Sequence, residues 1–195
     1  MPKQVVLIGG PNGAGKTTAA MTLLPEFLAL HEFVNADDIA RGLNPLNPDG
    51  QAIMAGRLMI QRMDSLIKQE KNFAFESTCA GTQHLARLKH CKTLGYKFIL
   101  IFLWLPSAEM AIKRVEQRIK SGGHSIDPKV IRRRYVKGLK NMVHHYLPLA
   151  DDVLICDNSG TTHDNLSRIA EKSLGGRLEI HNSDIWKQIT ETANA

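Results

Sequence analysis

The sequence contains few cysteines and no long apolar stretch. Its three cysteines, Cys79, Cys91 and Cys156, form neither a CxxC pair nor another spacing typical of metal ligands. An odd count also argues against a closed disulfide framework and favours a reducing compartment. No run of about 18 uncharged apolar residues occurs, and no small-residue cleavage site follows the apolar residues 5–8. We therefore expect a cytoplasmic protein without a membrane partner.

Positive charge is in excess, and it is concentrated in one segment. The chain has 195 residues, of which 43% are hydrophobic and 23% charged, and its formal net charge is +6. This composition is typical of one domain with its own core, so we expect a single domain over residues 1–195. Residues 113–140 contain ten Lys or Arg residues but only two acidic ones. Such a segment is either a solvated basic face or a phosphate-binding surface.

Apolar, β-branched runs alternate with helical patterns along the chain. Strands are predicted over residues 4–8, 33–35, 73–75, 98–105 and 153–156. Helices are predicted over 16–24, up to Pro25, from 108 to the glycines near 122, and over 128–147. Because strands and helices alternate, we expect a doubly wound α/β fold, with a mostly parallel five-stranded sheet and helices on both faces.

Two other stretches give helical or mixed patterns. Between the second and third strands, six apolar residues at helix spacing should face the core. They are Ile53, Met54, Leu58, Met63, Leu66 and Ile67. The C-terminal extension, residues 161–195, predicts a helix near 164–174, a strand near 178–181 and a helix near 184–192. We assign no chemistry to this extension.

Residues 10–17 carry the most specific motif of the chain. It reads Gly10-Pro11-Asn12-Gly13-Ala14-Gly15-Lys16-Thr17, which matches G-x-x-x-x-G-K-[ST] between a predicted strand and a predicted helix. Triphosphate oxygens need several backbone N–H donors at once, and a tight glycine turn before a helix N-terminus supplies them. The motif therefore predicts a phosphate-binding loop (P-loop) for ATP. The residues expected at ATP are Gly10, Asn12, Gly13, Ala14, Gly15, Lys16, Thr17 and Thr18.

Acidic side chains follow two of the predicted strands. Asp37 and Asp38 come just after the second strand, and Glu76 ends the third, shortly before Thr78. Because ligands of such folds lie at the carboxyl ends of the strands, we expect these four residues at the substrate that accepts a phosphoryl group. Either aspartate could orient or accept the proton of an acceptor hydroxyl, or could instead cap the following helix.

A magnesium site is expected beside the P-loop. Lys16 should reach the β and γ oxygens of ATP, and the Thr17 hydroxyl should bind Mg²⁺. Glu76 could hold the same ion through water, contact the acceptor, or have a structural role. No ligand spacing suggests a structural metal elsewhere.

Five of the ten basic residues in the basic segment 113–140 are arginines. Arg114 and Arg118 are four residues apart and share one helix face, and Arg134 follows the glycines near residue 122. Two basic helices joined by glycines would form a lid over about residues 114–135, which could close on phosphates because the arginine fork holds two phosphate oxygens. His124 beside those glycines either contacts phosphate or caps the turn.

The sequence resembles the zeta-toxin family of P-loop kinases, in particular its short bacterial members, over about residues 4–160. The resemblance implies an ATP-dependent kinase with Asp37 as its catalytic carboxylate. The stretches that carry it are Gly9-Gly10-Pro11-Asn12-Gly13-Ala14-Gly15-Lys16-Thr17-Thr18, Val34-Asn35-Ala36-Asp37, Phe75-Glu76-Ser77-Thr78, Arg114-Val115, Arg118, Gly122-Gly123-His124 and Arg133-Arg134-Tyr135.

The resemblance also implies roles for the remaining site residues. Lys16 and Thr17 would bind ATP and Mg²⁺. Arg118 and Arg134 would stabilise phosphate. Arg114 and Arg118 are similar to the paired arginines that begin the lid of adenylate kinases, which implies that Arg114 lies at the nucleotide. Zeta toxins phosphorylate UDP-N-acetylglucosamine and related UDP-amino sugars and are restrained by a small antitoxin, so the resemblance implies a UDP-sugar acceptor and an antitoxin partner.

Three other functions are known for proteins with such a loop or basic segment. Mechanical ATPases usually carry an apolar strand ending in Asp-Glu, and transporter-type ATPases carry an LSGGQ-like signature; neither occurs here. A polynucleotide kinase or RNA-associated ATPase would suit the basic segment, but basic and aromatic residues do not alternate as on stacking surfaces, so we do not expect a nucleic-acid partner. A non-catalytic regulator that binds ATP stays open.

Overall fold

The structure, a computed structural model, describes residues 3–120, 126–160, 166–173 and 175–195. Its strands are β1 (Gln4–Gly9), β2 (Phe33–Val34), β3 (Phe73–Ser77), β4 (Lys97–Trp104), β5 (Asp152–Asp157), β6 (Ser167–Lys172) and β7 (Glu179–Ile180). Its helices are α1 (Lys16–Leu28), α2 (Ala36–Leu43), α3 (Ala52–Lys68), α4 (Leu85–Thr93), α5 (Ala108–Lys120), α6 (Pro128–Asn141), α7 (Leu147–Leu149) and α8 (Ser183–Asn194). A π turn (Met142–Tyr146) follows α6. The expected glycine break and His124 lie outside the described residues.

The strands form one sheet in the order β2-β3-β1-β4-β5-β6-β7. The strands from β2 to β5 in this order are parallel, and β6 and β7 are added antiparallel at one edge. β1 lies inside the sheet because its apolar residues 5–8 are fully buried and covered on both faces. The register pairs Ile8 with Glu76 and Gly9 with Ser77. This pairing places the P-loop next to the end of β3.

Helices cover both faces of the sheet. On the face that carries Val5, the core includes Met63 of α3 and Tyr135 of α6. On the face that carries Val6, it includes Leu24 of α1. The predicted doubly wound α/β fold with helices on both faces is therefore confirmed. Among the described residues, no helix is both long and apolar enough to cross a bilayer.

The sheet has seven strands rather than the five predicted. Residues 167–172, predicted as part of a helix, form β6 instead. Arg168, Ala170 and Glu171 favour a helix locally. However, this segment pairs with the otherwise free edge of β5, where Ile169 and Ala170 are fully buried. Edge pairing and burial outweigh the local preference for a helix.

Two helices differ from the predicted bounds. α1 continues through Pro25 to Leu28 instead of ending at residue 24. Proline removes one intrahelical hydrogen bond, and the burial of Leu24 and Leu30 in the core offsets that loss. The helix predicted over 128–147 is α6, which ends at Asn141, followed by the π turn.

The first turn of α3 is less buried than its periodicity suggests. Ile53 and Met54 are 76% and 49% exposed, so the expectation that they face the core is wrong. The buried stripe of α3 begins at Ala55 and continues to Ile67. Helical periodicity identifies a face but does not say where the helix extends past the sheet, and this turn borders a cavity instead.

Candidate active site

The P-loop connects β1 to α1 through a tight turn. Gly10 has to be glycine, because a β-carbon there would lie 2.4 Å from the carbonyl oxygen of Leu103. Gly13 and Gly15 have φ angles of 73° and 78°, which glycine adopts at little cost. α1 begins at Lys16 with Gly15 as its N-cap. The unpaired N–H groups and the positive dipole end of this helix suit a phosphate.

The segment after β5 supports the P-loop from the side. Asn158 is 3% exposed, and its side-chain amide donates a hydrogen bond to the Ala14 carbonyl oxygen at 2.7 Å. Arg114 donates to the carbonyl oxygens of Asn158 and Gly160, each at 2.7 Å. Arg114 is thereby fixed at the edge of the P-loop. The sequence did not indicate this segment; its position after a buried parallel strand is the signal that could have done so.

Four side chains meet between the P-loop and β3. The Thr17 hydroxyl donates to Glu76 Oε2 at 2.6 Å, and the Asn35 amide donates to the same oxygen at 3.1 Å. Lys16, 6% exposed, lies 3.5 Å from Glu76 Oε1 and donates to the Pro11 carbonyl at 3.0 Å. Mg²⁺ prefers oxygen ligands, so the hydroxyl of Thr17 and the carboxylate of Glu76 fit the ion expected here.

The two aspartates after β2 have different surroundings. Asn35 caps α2, because its side-chain oxygen accepts a hydrogen bond from the Asp37 N–H at 2.8 Å. The alternative that Asp37 or Asp38 provides the cap is therefore wrong. Asp38 forms an ion pair with Arg41 at 2.7 Å, and burial raises the pKa of its carboxyl group. Asp37 borders the cavity between α3 and α6, and Asp38 does not border that cavity.

Two cavities lie on either side of Lys16 and Glu76. The P-loop cavity has a volume of about 630 Å³ and lies between the P-loop and α5. The α3–α6 cavity has a volume of about 670 Å³ and lies between α3, the β3–α4 connection and α6. Gly13, Lys16, Glu76 and Arg118 border both. The cavities are thus adjoining compartments that meet at these residues.

Most of the predicted site residues border one of these cavities. Besides the shared residues, the P-loop cavity is bordered by Gly15, Thr17, Thr18 and Arg114. The α3–α6 cavity is bordered by Asn12, Asp37, Thr78 and Arg134. Gly10 and Ala14 are buried behind the loop surface, and Asp38 lies outside both cavities.

The α3–α6 cavity has one apolar wall and one cationic wall. The wall on α3 is apolar apart from Arg57, and its other residues are Ala52, Ile53, Gly56, Met59 and Ile60. The cationic wall consists of Arg133, Arg134 and Lys137 on α6, beside Arg118. None of these cations forms an ion pair or hydrogen bond with the described residues. Arg132, by contrast, borders neither cavity and pairs with Glu109 at 3.1 Å. The basic segment is therefore partly a cavity wall and partly a solvated face.

His84 also borders the α3–α6 cavity. It is 4% exposed, its ring packs on Phe75 at a centroid distance of 5.0 Å, and its Nε2 lies 3.2 Å from the Gln83 amide nitrogen. Burial, and secondarily the charge of Arg87, lowers its pKa to about 4, so the imidazole is neutral at neutral pH. No sequence signal distinguishes this histidine, since its place depends on how the β3–α4 connection packs.

Comparison with known proteins gives a family match. A family model described as an AAA domain matches residues 5–137 of this chain. An uncharacterized protein of Haemophilus influenzae is 34% identical over 137 residues, which make up 69% of this chain and 94% of that protein. The residues that the family model matches include the P-loop, Asp37, Glu76 and the whole cationic wall.

Solved structures share the fold. The AvrRxo1-ORF1:AvrRxo1-ORF2 structure with sulphate ions matches with a TM-score of 0.78 and 16% identity. The structure of that complex with ATP matches with a TM-score of 0.75 and 17% identity. In both cases the match covers 97% of this chain but only 64% of the other chain. A chain of the PezAT chromosomal toxin–antitoxin system of Streptococcus pneumoniae matches with a TM-score of 0.63 and 16% identity. The match covers 99% of this chain and 86% of that chain.

Fold and family agree. The parallel part of the sheet, with the P-loop at the end of β1, is the arrangement of P-loop kinase-like proteins, and the structural matches share it. The family model covers well over half of the chain. The chain therefore belongs to the AAA domain family, with a P-loop kinase-like fold.

Proposed function

We propose that this protein is an ATP-dependent phosphotransferase that moves the γ-phosphoryl group of ATP to a hydroxyl of a small anionic acceptor. One observation carries the proposal: the P-loop cavity and the α3–α6 cavity share Lys16, Glu76 and Arg118. A donor in the first cavity and an acceptor in the second would meet between a lysine and an arginine. These cations would neutralise charge on the transferred group.

The donor would occupy the P-loop cavity. The N–H groups of the loop and of the first turn of α1 would hold the triphosphate. Lys16 would leave the Pro11 carbonyl for the β and γ oxygens. Arg114 offers a flat guanidinium against which a base can stack. Mg²⁺ held by Thr17 and Glu76 would supply positive charge at the phosphate oxygens.

The acceptor would occupy the α3–α6 cavity, where Asp37 would receive the proton of its hydroxyl. The acceptor oxygen forms a bond to the γ-phosphorus while the bond from that phosphorus to the β–γ bridging oxygen breaks. ADP leaves with the released electron pair. Arg118 and Arg134 would stabilise the group in transit. Because such transfer depends mainly on positioning and charge, Asp37 would orient the acceptor hydroxyl through its negative carboxylate, which asparagine lacks.

The two walls of this cavity favour an acceptor with an anionic part and a flat ring whose face can pack on apolar side chains. The unpaired cations on α6 suit phosphate groups. On the apolar wall, a β-carbon at Gly56 would meet no atom within 4 Å, so the glycine leaves room beside the helix. A UDP-amino sugar, the substrate of the zeta toxins that the sequence resembles, has both parts. We therefore propose a cytoplasmic, zeta-toxin-like kinase, and its shared fold with the PezAT chain supports an antitoxin partner.

Transfer of labelled phosphate tests this proposal. Purified protein with Mg²⁺ and γ-labelled ATP is incubated with UDP-sugars, unphosphorylated nucleosides and oligonucleotides. We expect label on a UDP-sugar, and we expect Lys16→Ala to lose both ATP binding and transfer because the phosphates lose a buried cation. Label on oligonucleotides would instead support a polynucleotide kinase. ATP binding without transfer to any acceptor would contradict the proposal and leave an ATP-binding regulator.

A further inference from the structure

The β3–α4 connection forms one side of the α3–α6 cavity and is held in an uncommon conformation. Thr78, Ala80 and Gly81 border the cavity. Cys79 between them is fully buried and has a φ of 57°, in the left-handed region that residues other than glycine rarely adopt. A backbone of this kind persists only where the surrounding contacts fix it.

Helix α6 supplies two of those contacts. Gly138 lies so close to this connection that a β-carbon would be 2.6 Å from the Thr78 carbonyl oxygen. One turn further along, the Asn141 side-chain amide donates a hydrogen bond to the Cys79 carbonyl at 2.9 Å. A glycine inside a helix lowers helix stability by about 1 kcal/mol relative to alanine, so close approach is a physical reason for glycine here.

The π turn supplies a third contact. The Tyr146 hydroxyl donates to the Gly81 carbonyl at 2.7 Å. In an uninterrupted α-helix, five residues turn through about 500°, which would put Tyr146 about 140° away from Asn141. The π turn is wider, as the bond from the Leu147 N–H to the Met142 carbonyl shows, and it reduces this offset. It therefore brings Tyr146 towards the side of the helix that faces the connection.

The same helix carries the cationic wall. Arg133, Arg134 and Lys137 lie within two turns of Gly138. α8 also packs on α6, with Ile189 buried in the same core. α6 is therefore held by α8 and by the β3–α4 connection, so the two sides of the cavity keep a fixed separation.

We propose that Gly138, Asn141 and Tyr146 are positioning residues for phosphoryl transfer. They fasten the β3–α4 connection to α6, so that the cavity holds the acceptor at a fixed distance from Lys16. None of the three borders the cavity, and each acts through a backbone carbonyl of the connection. This inference rests on the proposed function, in which the α3–α6 cavity receives the acceptor.

Two tyrosines provide a matched test. Tyr146→Phe removes the hydroxyl that binds the connection. Tyr96→Phe removes a hydroxyl that donates to the Lys71 carbonyl at 3.0 Å and borders neither cavity. Both variants should lose similar thermal stability. With Mg·ATP and UDP-N-acetylglucosamine as the acceptor probe, Tyr146→Phe should raise the KM for the acceptor by about three- to tenfold and leave the KM for ATP unchanged. Tyr96→Phe should change neither, and equal kinetics in the two variants would overturn the inference.

Hydrogen–deuterium exchange separates this inference from the proposed function. Tyr146→Phe should speed amide exchange in residues 78–81 and 138–147 together, whereas Tyr96→Phe should not. Gly138→Ala should speed this exchange more than Tyr146→Phe does. If Gly138→Ala does not fold, the result for Tyr146→Phe alone tests the inference. Faster amide exchange in both segments, without transfer of phosphate to any acceptor, would contradict the proposed function. It would still support the attachment of the β3–α4 connection to α6. If Tyr146→Phe transfers phosphate and its amide exchange in residues 78–81 is unchanged, the attachment of the β3–α4 connection to α6 is contradicted, whereas the proposed function is not.

Discussion

Asn35 lies where several parts of the site meet. Its side-chain oxygen caps α2 through the Asp37 N–H, and its amide donates to the Glu76 carboxylate that Thr17 also contacts. One amide therefore links the turn that carries Asp37 to the residues that fit Mg²⁺. Loss of this amide should affect both the fold and the site.

Asn182 provides a control for Asn35, because its side chain caps α8 in the same way, accepting from the Ile185 N–H at 3.0 Å. Asn35→Ala and Asn182→Ala should each lower the free energy of unfolding by about 1 kcal/mol. Only Asn35→Ala should also raise the Mg²⁺ concentration needed for half-maximal ATP turnover, by about threefold or more. Titrations of Mg²⁺ that coincide for the two variants would contradict this role.

His84 predicts a dependence of stability on pH. Its pKa is lowered from 6.5 to about 4 in the folded protein, chiefly by burial. Between these values the unfolded chain binds a proton that the folded protein does not. Lowering the pH from 7 to 5 should therefore reduce the free energy of unfolding by about 2 kcal/mol through this group, with little further loss below about pH 4. In denaturant titrations at the two pH values, His84→Gln should lose less free energy of unfolding than the wild-type protein. An equal loss in both proteins would disprove the assignment of this pH dependence to His84.

At the scale of elements, α6 carries cations of two kinds. Arg133 borders the α3–α6 cavity without an ion-pair partner among the described residues, whereas its neighbour Arg132 pairs with Glu109 outside it. Arg133→Ala should raise the KM for a phosphorylated acceptor by about tenfold or more, because a charge-assisted hydrogen bond is lost. Arg132→Ala should leave that KM unchanged. If steady-state kinetics show similar losses for both, the cationic wall does not bind the acceptor.

The central elements could be predicted from the sequence because their signals are local. β1 is a continuous apolar run, and the P-loop motif follows it directly. β6 could not be predicted, since its residues favour a helix and only the edge of β5 makes them a strand. The P-loop motif predicted Lys16, and the position just after a strand predicted Asp37. Asn158 and His84 are single polar residues whose surroundings arise from loops that are distant in sequence.

At the scale of the whole molecule, the described part of the C-terminal extension packs against the rest of the structure. β6 and β7 continue the sheet, and α8 packs on α6, the helix that carries the cationic wall. The extension thus supports one side of the α3–α6 cavity, although it contributes no residue to either cavity among the described residues. In the proposed reaction, one phosphoryl group passes between the two cavities at the carboxyl edge of this sheet.

The neighbouring aspartates test that claim most directly, because Asp37 borders the α3–α6 cavity and Asp38 does not. The measurement is ATP affinity and the rate of labelled phosphate transfer for Asp37→Asn and Asp38→Asn. We predict that both variants keep wild-type ATP affinity, that Asp37→Asn slows transfer by about a hundredfold or more, and that Asp38→Asn retains most of the rate. Transfer at the wild-type rate in Asp37→Asn would contradict phosphoryl transfer to an acceptor held beside Asp37.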